Sequence, residues 1–290
     1  MDFAARVVVI TGAGGSLGRS HALLMAKLGA RIVVNDVGET EHGFAADLVV
    51  EEIRRSGGEA VVNRDSVADG TAIIECAMDH FGRVDAVVNN AGILRDKSFQ
   101  NMTEADWQEV FAVHVHGAFA VTKAAWSRFR DASFGRVVMT TSANGLYGAF
   151  GQVNYAAAKM ALVGMANALA VEGSKYNILV NTVAPVALSQ LTEALMSAEI
   201  RERVKPAYVS PLVARLCHPS CHASGQHFEA GGGWFGQVRL QRSFGVRFPL
   251  APDVDASEWT GALDMAAIND FSLSDSPQNV QAAMRAIFAD

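Results

Sequence analysis

Short Val/Ile-rich runs alternate with amphipathic stretches from the first residues to about Gly233. RVVVIT, ARIVVND, AVVNRD, VDAVVNN, GRVVMTT and ILVNTVAP are apolar on both sides of the chain, so each reads as a fully buried strand. Segments such as SLGRSHALLMAKLG and GTAIIECAMDHFG lie between them and have the length and spacing of helices. Strand and helix in alternation predict an α/β fold, a Rossmann-type doubly wound parallel sheet with helices on both faces. Ligands of such a sheet sit beyond the carboxyl ends of its strands. After Gly233 the pattern changes: WFGQVRLQRSFGVRF is basic and aromatic, polar and acidic sequence follows, and PQNVQAAMRAIF is a short helix candidate. Residues 1–233 are therefore expected to form a single main domain, and 234–290 an appended arm or lid without independent domain status.

The densest chemistry lies in TSANGLYGAFGQVNYAAAK, Thr141 to Lys159. Tyr155 and Lys159 are four apart in an alanine-rich run that reads as helix, so their side chains share a face. Ser142 ends the buried run RVVMTT, thirteen residues before the tyrosine. A hydroxyl, a phenol and an ammonium brought together suit moving a proton on and off a substrate oxygen. A free phenol has a pKa near ~10. A lysine cation beside it favours the phenolate, so Tyr155 is expected to serve as a general base.

A second pattern opens the chain. RVVVIT runs straight into GAGGSLG and then a helix, the arrangement that lets backbone and a helix N-terminus meet a pyrophosphate. Gly12, Ser16, Leu17 and Gly18 belong to this loop. Asp36, ending the second strand in VVNDVG, is placed to hydrogen-bond a ribose 2′-hydroxyl and to repel a 2′-phosphate, which favours NAD over NADP. Arg19, just past the loop, keeps NADP open. Asp65 and Ser66, in NRDS, are candidates for the adenine edge, with helix N-cap as the alternative for Asp65. Asn90, Ala91 and Gly92, in NNAG, are small enough for close approach of backbone to cofactor, and Pro185 ends the last strand of the series.

A chain of 290 residues, half of them apolar, has ample material for a large core. A net charge of −6 argues against nucleic-acid and anionic-membrane partners. Three cysteines suggest no disulfide framework and fit a reducing compartment. No uninterrupted apolar run has the length of a membrane span, and the start lacks the apolar length of a secretory signal. The ending AIFAD is no peroxisomal tripeptide, so a cytoplasmic location is the expectation.

TGAGGSLG, NNAG, Ser142 and YAAAK together resemble the short-chain dehydrogenase/reductase superfamily over residues 1 to about 233. VVNDVG, NNAGILRDKSF, VHVHGAF, NGLYGAFGQVNYAAAK and YVSPLVARLCHPSC…GGGWFG are similar, more narrowly, to the (3R)-hydroxyacyl-CoA dehydrogenase units of peroxisomal type 2 multifunctional enzymes. The resemblance implies NAD-linked oxidation of a secondary alcohol, an acyl-CoA or a steroid. In it Tyr155 takes the hydroxyl proton as hydride leaves for the nicotinamide, Lys159 holds the ribose, and Ser142 binds the substrate oxygen. A hydroxysteroid dehydrogenase acting on a ring hydroxyl is the alternative enzyme, and a non-catalytic dinucleotide-binding regulator the alternative of another class.

The pattern departs from the family in places. Ser16 stands where the superfamily usually has glycine, so its hydroxyl either binds phosphate or weakens the cofactor site. His114, in VHVHG, aligns with the usual relay asparagine, as it does in the type 2 enzymes; relay and quiet packing are both open. Val186 follows Pro185 where many relatives have glycine. The resemblance also implies a homodimer or homotetramer paired through long helices near 103–130 and 152–173. CHPSCH, residues 217–222, offers metal-ligand side chains without a second separated pair, so no metal is expected. Two basic clusters, Arg201/Arg203/Lys205 and Arg239/Arg242/Arg247, are candidates for coenzyme A phosphates.

Overall fold

The structure is a computed structural model and describes residues 1–187, 198–243, 245–248, 259 and 263–271. Two compact units emerge, Met1–Gln237 and Val238–Asp290. The terminal helix candidate PQNVQAAMRAIF and residues 188–197 lie outside the described residues. Within the second unit, Phe248 and Trp259 stack with ring centroids 5.3 Å apart, and Met265–Ile268 forms a single helical turn.

The strands are β1 (Val7–Thr11), β2 (Arg31–Asn35), β3 (Glu39–Thr40), β4 (Gly43–Phe44), β5 (Glu59–Asn63), β6 (Ala86–Asn89), β7 (Gly135–Thr140), β8 (Ile178–Pro185), β9 (His227–Gly231) and β10 (Trp234–Val238). The helices are α1 (Ser16–Lys27), α2 (Ala45–Arg55), α3 (Gly70–Phe81), α4 (Glu104–Phe111), α5 (Ala118–Ala132), α6 (Ala143–Tyr147), α7 (Val153–Gly173), α8 (Ala198–Arg203) and α9 (Ser210–Cys217). All but β3 and β4 join one eight-stranded sheet in the order β10-β9-β8-β7-β6-β1-β2-β5, and β3 with β4 makes a small separate hairpin. From β5 across to β9 every pairing is parallel.

The strands carry apolar residues at every position because the sheet is covered twice. Val8 and Ile10 of β1 enter one core, with Ala22 and Met25 of α1, Val49 and Ile53 of α2, and Val213 of α9. Their neighbours Val7 and Val9 enter the other, with Ile73 of α3, Val121 and Phe129 of α5, and Leu162 of α7. Alternate side chains of one strand thus feed two cores, which erases any polar–apolar alternation. The expected α/β doubly wound fold is the one observed.

Two features differ from the sequence-based expectation. The sheet runs on past Gly233, because Gly232 and Gly233 take φ of 59° and 81°. Those left-handed values make a tight hairpin turn that returns β10 alongside β9. The helix expected near 103–130 is interrupted by a π turn, Ala112–Gly117. Among the described residues no helix is long and apolar enough to cross a membrane.

Strand order reverses at β1, with β2 and β5 on one side and β6 to β9 on the other. The crevice beyond the carboxyl ends of β1 and β6 is where such a sheet accepts a ligand.

Candidate active site

The glycine-rich loop is held to the end of β6 by one hydroxyl. Thr11 Oγ1 accepts from the backbone N–H groups of Asn90 and Ala91, each at 3.1 Å. Asn90 Nδ2 returns the contact, donating to the carbonyls of Thr11 and Gly12 at 3.0 and 3.1 Å. Gly12 has φ +63°, and a Cβ there would lie 2.8 Å from Ala91 Cα. A Cβ on Gly18 would lie 2.3 Å from Gly12 O, and one on Gly14 would lie 2.5 Å from Ala45 Cβ. These three glycines are needed by the protein's own packing. Asn90 and Ala91 likewise act here as a clamp on the loop.

A dinucleotide fits what remains. Gly15 is the N-cap of α1, no side chain caps that end, and its first turn holds no acid. A Cβ on Gly15 would meet nothing nearer than 3.7 Å. Open space and a helix N-terminus without an acid in its first turn together suit a pyrophosphate. Ser16 takes the first helical position and Leu17 packs partly against the core. Asp36 Oδ2 accepts from Gly14 N at 2.9 Å and Oδ1 from Gly38 N at 2.8 Å, which fixes the carboxylate with lone pairs to spare for a ribose. Arg19 is not poised for a 2′-phosphate: it forms a forked ion pair with Glu52 of α2. Asp65 is exposed and accepts from Asn63 Nδ2 at 2.7 Å. The N-cap of α3 is Asp69, which settles the alternative considered for Asp65. Ser66, beside it, accepts from Ala68 N at 3.3 Å. Pro185 ends β8, where Val186 N donates to Ala230 O at 2.7 Å.

Ser142, Tyr155, Lys159 and His114 converge. Ser142 is the N-cap of α6 and accepts from Asn144 N at 3.2 Å. Lys159 is 3% exposed, and its Nζ donates to Thr140 O at 2.6 Å. Its own carbonyl accepts from Thr141 Oγ1 at 2.9 Å, so one residue fastens α7 to the end of β7 twice. The Nζ lies 5.4 Å from the Tyr155 ring centroid. His114 meets that ring edge-on, 5.3 Å between centroids at 90°. Asn154, fully buried, donates to the carbonyls of Arg95 and Asp106, each at 3.1 Å. Its Oδ1 accepts from Tyr155 N at 2.8 Å and so sets the first turn of α7.

Burial governs the electrostatics here. Desolvation pushes the Tyr155 phenol above its ordinary value; the hydrogen-bonding Ser142 hydroxyl opposes that, and the Asp96 charge adds to it. The expected lowering by Lys159 is not what this environment produces, because burial pushes the lysine itself down to about 7. His114 is pushed down to about 3, by burial first and the Lys159 charge second. It is a neutral imidazole at any working pH. Its Nε2 lies 3.1 Å from Ile93 N and 2.8 Å from Ile93 O, while its Nδ1 is buried with no partner. A Cβ on Gly92 would lie 2.4 Å from His114 Cε1, so Gly92 makes room for the imidazole.

Elsewhere, Cys217 and Cys221 are buried in the core with α9. His218 bonds Ser220 Oγ at 2.7 Å, and no group of three potential ligands stands together among the described residues. Arg203 pairs with Glu199 at 3.1 Å, and Lys205 pairs with Glu202. Sequence reasoning passed over Thr11, Thr140 and Asn154. Thr11 and Asn154 each adjoin a recognised motif, but Thr140 acts through its carbonyl and no side-chain pattern could reveal it.

A dinucleotide crevice with serine, tyrosine and lysine at its edge defines an oxidoreductase of the Rossmann class. Residues 6–203 match the short chain dehydrogenase family, and the chain belongs to it. It is 52% identical over 265 residues to peroxisomal multifunctional enzyme A of Dictyostelium discoideum, covering 89% of this chain and 60% of that one. It is 35% identical to the hydroxyacyl-CoA dehydrogenase ChsB1 of Mycobacterium tuberculosis, covering 78% of this chain and 77% of that one. Full-length peroxisomal multifunctional enzyme type 2 of Drosophila melanogaster superposes with a TM-score of 0.85 at 38% identity, over 99% of this chain and 49% of that one. The chain thus spans about half the length of these multifunctional relatives.

The buried lysine makes stability depend on pH. Between about 7 and the ordinary lysine value near ~10, the unfolded chain holds a proton that the folded chain has lost. Stability therefore rises with pH across that window. Lys159→Met removes the cost, so its unfolding free energy, read by denaturant titration, should gain on that of the unsubstituted chain as pH falls from ~10 to ~7, by a few kcal/mol at most. A difference that does not vary with pH would show that the ammonium keeps its hydration.

Proposed function

We propose that the chain oxidises a (3R)-3-hydroxyacyl-CoA to the 3-ketoacyl-CoA with NAD, and that Tyr155 is the general base. The observation that carries this reading is the meeting of Ser142, Tyr155 and Lys159 on α6 and α7 beside the crevice at β1 and β6. The substrate class rests on the stretches shared with the (3R)-hydroxyacyl-CoA dehydrogenase units and on the relative named as a hydroxyacyl-CoA dehydrogenase. Asp36 favours NAD, since its carboxylate would repel a 2′-phosphate and Arg19 is engaged with Glu52.

The bound dinucleotide supplies the hydride acceptor. The N-terminus of α1 and Gly15 would hold its pyrophosphate, Asp36 a ribose, and Lys159 the second ribose. Ser142 hydrogen-bonds the substrate oxygen and Tyr155 removes the hydroxyl proton. Because the phenol starts above its ordinary value, oxidation gains from alkaline pH. His114, neutral throughout, orients the Tyr155 ring and the Gly92 loop.

The exposed stripe Val153, Met160, Ala168 and Val171 along α7 supports pairing with a second copy, as a homodimer or a dimer of dimers. The free thiols Cys76, Cys217 and Cys221 fit a reducing cytoplasm, whereas the multifunctional relatives carry "peroxisomal" in their names.

Three measurements test these readings. Incubation with NAD and 3-hydroxybutyryl-CoA of each configuration should give reduced nicotinamide with the R form alone, NADP should serve at least about tenfold worse, and Tyr155→Phe should lower kcat by more than about a thousandfold with NAD binding retained. Turnover of steroid alcohols in preference, or substantial Tyr155→Phe activity, would refute the substrate or the base. Light scattering that reads one chain's mass at micromolar concentration would remove the dimer. Cell fractionation that finds the chain sedimenting with peroxisomes would remove the cytoplasmic assignment.

A further inference from the structure

α6 has five residues, too few to persist alone in water, yet its N-cap is Ser142. Side-chain anchors hold it on two flanks. Tyr147 Oη donates to Glu229 Oε2 of β9 at 2.6 Å. On the other flank Asn144 Nδ2 donates to Gln152 Oε1 at 2.7 Å, and Gln152 Nε2 donates to Asp96 Oδ2 at 2.7 Å. Since Asn144 N also donates to Ser142 Oγ, an unbroken string joins the Asp96 carboxylate to the serine.

The carboxylate sets the direction of that string. It can only accept, so Gln152 must turn its NH₂ toward Asp96 and its oxygen toward Asn144, which orients the second amide in turn. The Asp96 end is itself pinned. Lys97 N donates to Gly151 O at 2.9 Å, Lys97 Nζ to Asp106 Oδ2 at 2.9 Å, and Asn154 Nδ2 to Arg95 O at 3.1 Å.

We propose that Asp96 and Gln152 are positioning residues for the dehydrogenase reaction: through Asn144 they fix the Ser142 hydroxyl, and the Asp96 carboxylate sets a negative charge facing Tyr155. The inference rests on Tyr155 as the base. Tyr155 is faced by Lys159 and Asn154 from its own helix, by His114 from the π turn, by Ser142 from the α6 cap and by Asp96 from the segment after β6. His114 stays uncharged and burial pushes Lys159 toward its neutral form, which leaves the Asp96 carboxylate to oppose ionisation of the phenol.

Two variants separate charge from position. Asp96→Asn keeps an acceptor oxygen for Gln152 and removes the charge. The rising limb of kcat against pH for alcohol oxidation should move to lower pH by about half a unit. Gln152→Ala cuts the string and leaves the charge, so kcat should fall about tenfold with the limb in place. Melting temperatures close to that of the unsubstituted chain confirm folding. An ultraviolet difference titration against Tyr155→Phe reads the same phenol shift without turnover, so the charge effect is measurable even in a chain that oxidises none of the alcohols offered. An unsubstituted chain silent on 3-hydroxybutyryl-CoA would count against the function proposed above. An unmoved phenol titration in Asp96→Asn, an unchanged kcat in Gln152→Ala, or effects confined to KM would overturn the positioning role.

Discussion

Removal of the Lys159 ammonium from water is the constraint on which the site turns. A buried cation costs several kcal/mol unless its donors are matched, and among the described residues the acceptor offered is the backbone carbonyl of Thr140. The lysine is nonetheless held fast, since α7 is fastened to the end of β7 by the Thr141 bond to the Lys159 carbonyl and passes close at Gly145, whose Cβ would lie 2.8 Å from Lys159 Cβ. The same rigidity orients Tyr155, one helical turn earlier. Burial also sets the charge states around that ring: the phenol is up, the lysine down to about 7 and the imidazole down to about 3. All three move toward their neutral forms, which is the signature of desolvation rather than of pairing.

Rigidity of a different kind governs the cofactor end. Thr11, Asn90 and Ala91 lock the tip of β1 to the tip of β6, the two strands between which the order reverses. A crevice between diverging connections would otherwise be free to spread. With Gly12, Gly14 and Gly18 committed to internal contacts, Gly15 at the N-terminus of α1 is the glycine of this loop with room beside it.

The sheet, its two covers and the grouping of Ser142, Tyr155 and Lys159 were legible because each depends on side-chain identity at fixed spacing. Uninterrupted Val and Ile runs could only be strands buried twice, and the strand-end serine and helix-face tyrosine followed from element type. What escaped depended on backbone atoms or on partners far along the chain. The carbonyls of Thr140 and Ile93 carry no sequence signal. Arg19 reads as a free cation until Glu52, on the next helix, is seen to hold it. The lowering of the Tyr155 pKa expected from a neighbouring cation is not seen because burial leads for both groups, raising the phenol and pushing the lysine toward its neutral form. Depth of burial is a property of the fold. The π turn was hidden because the low helical propensity of the valines, histidines and glycine in VHVHG weakens a helix without specifying a π turn.

That π turn links the departures from the family pattern. His114 sits in the π turn, and from there its imidazole, bulkier than the amide of the usual asparagine, reaches Ile93 at a steric cost. The cost appears at Gly92, where any side chain would collide with the ring, and at Nδ1, a buried nitrogen without a partner. A single nitrogen, Nε2, then faces both the N–H and the C=O of Ile93, which an amide could satisfy with two separate atoms. One of those backbone groups is always left short. What the ring adds is an edge-on contact with the Tyr155 ring, 5.3 Å between centroids at 90°. His114, Gly92 and the π turn therefore form one unit, and a change in any of them falls on the orientation of Tyr155.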